Sequence, residues 1–102
     1  MPQQKKIKIT VLKTMFNPDL AEEYCSGKAG PCDIPVGREF ISENFLQQPE
    51  GFCGWAWNDI HKVCLTLLKG GSFELTKDDK TMIACCTDGI RPVVFKVERL
   101  DD

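Results

Sequence analysis

Cysteines stand at positions 25, 32, 53, 64, 85 and 86, six in a chain of 102 residues. They are the side chains here best suited to chemistry, because a thiolate is both a nucleophile and a soft metal ligand. Six residues separate Cys25 from Cys32, which is neither the spacing of a zinc knuckle nor that of a ferredoxin run. A ligand set would instead have to be gathered by the fold. Cys25 and Cys32 from a loop, Cys53 from a helix start and Cys86 from a hairpin would together suit zinc or an iron–sulfur cluster. Cys53 is the first choice as nucleophile or ligand, because the free amides of a first helical turn favour negative charge. Cys85 and Cys86 are neighbours on a strand, so alternation sends them to opposite faces. A disulfide between them would be strained and readily reduced.

Three further residues bear on a site. Asp88 precedes Gly89 in a turn, where its carboxylate caps backbone amides, and it is a catalytic candidate alongside Cys53 and Cys86. Arg91 carries a fork of donors suited to a carboxylate or phosphate. Its other role would be a solvated side chain or a salt bridge to Glu39, Glu43 or Glu98. Trp55 lies in the polar arc of its helix and could anchor a ligand or a partner, or else precede the helix and pack over its end. His61, the one histidine, sits three residues from Cys64 but completes no metal-binding spacing with it. Nucleophile elbows, phosphate-cradling glycine loops and dinucleotide fingerprints are all missing from the sequence.

The composition narrows the classes. Net charge is −2, and Lys5, Lys6 and Lys8 have no interleaved aromatics, so nucleic acid is not an expected partner. No apolar leader is visible after Met1, and no stretch approaches the 18 or so apolar residues of a membrane span. A cytoplasmic setting follows, in which thiols stay reduced. The apolar content of 42% can offset chain entropy, and the length suits one domain, residues 1–102.

The elements that must position these residues follow from periodicity. Lys6–Lys13 alternates, with Ile7, Ile9 and Val11 on one face, and predicts a half-buried strand. Asn17-Pro18-Asp19 opens a short helix to Tyr24, with Asn17 as cap. Residues 26–37 form a loop, 38–42 a short strand and 47–51 a turn. Trp55–Leu68 is the long helix, stopped by Gly70-Gly71. Plotted at 100° per residue, Cys64 falls about 20° from Cys53, and Trp57, Ile60, Val63 and Leu67 complete one apolar stripe. Cys64 then reads as a small buried hydrophobe. Asn58, Asp59, Lys62, Thr66 and Lys69 form the solvated face. Residues 81–86 and 93–100 are strands joined by a tight turn at Asp88-Gly89. The fold class is α+β: a small curved, mainly antiparallel sheet, or a partly open barrel, packed on one long helix with a short helix beside it.

Four stretches resemble a family of small, uncharacterised, cysteine-containing proteins of anaerobic bacteria and archaea. They are Lys6-Ile-Lys-Ile-Thr-Val-Leu-Lys13, Pro35-Val-Gly-Arg-Glu-Phe40, Gly51-Phe-Cys-Gly-Trp-Ala-Trp57 and Ala84-Cys-Cys-Thr-Asp-Gly-Ile-Arg-Pro-Val-Val-Phe-Lys96. The resemblance spans nearly the whole chain and implies an intracellular, anaerobic setting. It draws attention to Cys53, Trp55, Cys86 and Asp88, and implies no particular reaction. The expected function is a thiol- or metal-dependent accessory role in anaerobic metabolism. The alternative is a non-enzymatic module that binds a small ligand, a protein partner or a second copy of itself.

Overall fold

A computed structural model describes residues 5–101. The reading of residues 1–4 as free of a leader lies outside the described part. The chain runs β1 (Lys6–Thr14), α1 (Pro18–Tyr24), β2 (Glu39–Ser42), α2 (Gly54–Leu68), β3 (Thr81–Cys85) and β4 (Val93–Leu100). The four strands form one antiparallel sheet in the order β2-β1-β4-β3, so the protein is α+β. The edge strands β2 and β3 do not pair with each other, which makes the sheet open, not a barrel.

Alternation decides which face is buried. Ile7, Ile9 and Val11 of β1, Phe40 of β2, and Val93, Phe95 and Val97 of β4 all point to one side and form the core with α2. Each fully buried aliphatic side chain contributes about 1.5–3 kcal/mol relative to exposure. The opposite face is charged and stitched across strands by Lys8–Glu39 at 3.6 Å and Lys8–Glu98 at 3.9 Å, with Lys96–Glu98 at 3.5 Å along β4 itself. A register shift against β4 falls between Val11 and Lys13. This bulge ends the strict alternation of β1 and keeps Lys13, which would otherwise follow Ile7, Ile9 and Val11 inward, on the exposed face.

Helix α2 buries Ala56, Ile60, Val63, Cys64 and Leu67, the stripe expected from the 3.6-residue period. It ends as predicted at Gly70, whose φ of +90° is left-handed. The Gly70 amide donates to Leu67 O at 3.0 Å and the Gly71 amide to Thr66 O at 2.9 Å, the paired bonds of a Schellman ending. Arg99 of β4 donates to the same Leu67 carbonyl at 3.1 Å, so the sheet itself helps satisfy the helix end. Helix α1 begins at Pro18, but Asn17 does not cap it. The Asn17 amide instead donates 2.7 Å to Gly89 O, tying the start of α1 to the β3–β4 connection.

Candidate functional site

The β3–β4 connection is not the tight two-residue turn expected. It runs over residues 86–92, and Gly89 does not take the left-handed conformation that such a turn needs. Asp88 organises it. The Asp88 carboxylate accepts from the Ile90 amide at 2.9 Å, the Arg91 amide at 3.1 Å and Arg91 Nε at 3.4 Å. The Arg91 amide above all, with Ile90 and the Arg91 guanidinium, holds the Asp88 carboxyl below the usual aspartate range. Arg91 therefore pairs with Asp88, not with Glu39, Glu43 or Glu98; Lys8 and Lys6 take Glu39 and Glu43, and Lys8 and Lys96 share Glu98. A carboxyl titration by NMR is expected to place the Asp88 midpoint below 3.8, with the Ile90 and Arg91 amide shifts following the same curve. An unshifted midpoint would count against the cap.

At the head of α2, Cys53 is the residue before the first helical turn; its backbone is extended and its side chain is exposed. Trp55 is helical and 62% exposed, so it stands on the wet side of α2. Its indole N–H donates to Thr87 Oγ1 at 2.8 Å. Thr87 in turn donates through its amide at 2.7 Å and its hydroxyl at 2.9 Å to Asp59 Oδ2. Asp59, placed by periodicity on the solvated face, thus serves as the anchor of a short relay. It fixes the indole of Trp55 and ties the β3–β4 connection to α2.

These pieces enclose a hollow of about 190 Å³. Val93 and Phe95 of β4, Ala56 of α2 and Ile34 of the long loop give it apolar walls. Cys32, Cys53, Cys86, Trp55, Asp88 and Arg91 complete the lining. Three thiols from segments far apart in sequence therefore reach one cavity. Cys86 is half-buried, and its sulfur accepts from the Val93 amide at 3.3 Å. Cys85 is exposed on the other side of its strand, as alternation requires. Partial shielding, then the nearby Cys86 and Asp59, pushes the Cys85 thiol up, which makes it a reluctant nucleophile despite its exposure.

Cys25 does not join this group. It follows the last turn of α1 and lines a second, broader depression of about 810 Å³ with Tyr24 and the loop that follows. Asp88 and Arg91 border both hollows. Among the described residues, no three His, Cys, Asp or Glu side chains gather closely enough to hold a metal ion. The ligand set of Cys25, Cys32, Cys53 and Cys86 for zinc or an iron–sulfur cluster is thus not assembled. Its members are divided between two hollows, and in the smaller one they line walls without converging on a point. His61 packs edge-on against Trp57, with ring centroids 5.4 Å apart, away from a coordinating role. Cys64 is fully buried in the core.

Sequence reasoning reached Cys32, Cys53, Cys86, Trp55, Asp88 and Arg91. It missed the Asp59–Thr87 relay and the apolar floor of Val93 and Phe95. Both depend on the pairing of β4 with β3 and on the placement of α2, and no local signal marks them. No protein-family model matches the chain, and no curated protein or solved structure is similar to it. No helix among the described residues is long and apolar enough to cross a membrane.

Proposed function

We propose that the hollow at the head of α2 is the working site of a thiol-dependent protein that takes a small organic ligand, in an accessory role in anaerobic metabolism. Cys53 is the reactive thiol, with Cys32 and Cys86 beside it. The observation that carries this reading is the meeting of three thiols from three separate segments on one small cavity, next to Trp55 and Arg91. An anaerobic setting, implied by the resemblance, suits a site with an exposed thiol.

Limiting iodoacetamide followed by peptide mass spectrometry tests it. Cys53 is expected to carry the first label, ahead of Cys85, which is also exposed. Labelling spread evenly over Cys25, Cys53 and Cys85 would remove the basis for a distinguished thiol. The rival reading, a docking module for a protein partner or a second copy, is favoured by the exposure of Trp55 alone. Its indole donor is already engaged by Thr87, which suits a wall of the hollow better than a free anchor. An oligomer in sedimentation that dissolves in Trp55→Ala would favour docking instead.

A further inference from the structure

Arg91 engages Asp88 through its backbone amide and Nε, and its two terminal nitrogens form no hydrogen bond among the described residues. Its side chain is 55% exposed, at the border between the small hollow and the open depression. The part of the guanidinium that makes a two-pronged bond to a planar anion is therefore the part left unused. Behind it lies a cavity whose walls are chiefly apolar, built from Ile34, Ala56, Val93 and Phe95. At about 30 Å³ for each water-sized group, its volume of about 190 Å³ holds roughly six such groups.

From these features we infer that the hollow binds a short-chain organic carboxylate, its hydrocarbon body against Val93 and Phe95 and its carboxylate on the terminal nitrogens of Arg91. The inference rests on the hollow being the ligand site, as under Proposed function, but not on the reactivity of Cys53. Asp88 leaves the Arg91 pair neutral overall, so selection works through the geometry of the fork and not through a long-range field. Two consequences follow. A neutral alcohol of the same length lacks the partner for the fork and binds more weakly. Binding also depends little on ionic strength, unlike the capture of anions by scattered surface lysines.

Titration of the full chain with sodium butyrate, followed by the Trp55 indole N–H signal in ¹H–¹⁵N NMR spectra, is the test. Saturable shifts are expected with butyrate, and at least tenfold weaker binding with 1-butanol. Arg91→Gln should weaken butyrate binding about tenfold or more, as loss of a charged hydrogen-bonding group does. Arg91→Lys keeps the charge without the fork and should also bind several-fold more weakly, which guards against a Gln variant whose connection is disturbed. Cys85→Ser, outside the lining of the hollow, should bind butyrate like the parent. Equal affinity for butyrate and butanol, undiminished binding in both Arg91 variants, or no saturable shift at all would overturn the inference. Selective labelling of Cys53 in the face of any of these results would leave the thiol reading standing. Carboxylate binding without selective labelling would do the reverse.

Discussion

Phe95→Ala is expected to lower the unfolding free energy by about 3–5 kcal/mol, the usual cost of truncating a buried aromatic. Phe95 lies on the central pair of strands, facing Val11 across the β1–β4 ladder. It is 2% exposed and its ring lies 5.4 Å from that of Phe52. Phe52 in turn stacks edge-on with Phe40 at 4.9 Å and Trp57 at 6.1 Å. Removing Phe95 therefore takes one partner from an aromatic cluster that joins β2, β4 and the approach to α2. Because Phe95 is also a wall of the small hollow, the truncation enlarges that cavity. The check is urea unfolding of parent and variant with the same slope against denaturant. A loss below about 1 kcal/mol would mean that the cluster repacks without it. The milder Phe95→Leu keeps most of the volume and should retain the fold while still opening the hollow.

The second large effect concerns Cys64. Burial pushes its thiol up from 9.0 to about 12, so the folded protein holds the proton that an unfolded chain releases. The linkage has a definite sign. Below pH 9 both states keep the proton and the contribution to stability is complete. As pH rises from 9 toward 12 the unfolded state ionises first, and stability falls by up to about 1.4 kcal/mol per pH unit from this group alone. Cys64→Ala removes that slope while lowering stability at neutral pH through the lost volume. Thermal melts at pH 8, 9, 10 and 11 separate the two terms. Equal alkaline slopes in parent and variant would show that Cys64 titrates normally. The same burial makes Cys64 the slowest thiol to alkylate. Its modification waits for an opening of the core and should lag Cys53 by orders of magnitude.

The elements were legible where side-chain period and burial agree. Ile7, Ile9 and Val11 mark β1, and Ala56, Ile60, Val63, Cys64 and Leu67 mark α2, because each set faces one core. Glycine at 70 announced the helix end by conformational freedom alone. Legibility failed where a distant contact outweighs local preference. Asp88-Gly89 has the composition of a two-residue hairpin turn, yet Asp88 spends its carboxylate on Ile90 and Arg91, and Asn17 holds Gly89 O from the far side. Asn44, Phe45 and Leu46 are harder still. All three have positive φ, 53°, 62° and 70°, in a stretch without glycine. Such residues cost on the order of 1–3 kcal/mol each. Ser42 Oγ donating to Gln47 O at 2.6 Å, the Gln47 amide donating to Glu43 O at 2.8 Å and burial of Leu46 hold the segment in place. The candidate site was legible residue by residue, because thiols, tryptophan and arginine advertise their chemistry. Its division into two hollows was not, since it depends on how the 26–37 loop lies against the 86–92 connection.

The position of β1 between β2 and β4 has a consequence for biosynthesis. The longest ladder in the sheet joins Lys6 to Leu100 at one end and Thr14 to Val93 at the other. A nascent chain can pair β1 only with the four-residue β2 until β4 has been made. Closing so wide a loop is slow, and during that interval every sulfhydryl already translated stands open to oxidants and stray metals. Cys64 shares the core with Val93, Phe95 and Val97 of β4, so its shielding is complete only when that last strand docks.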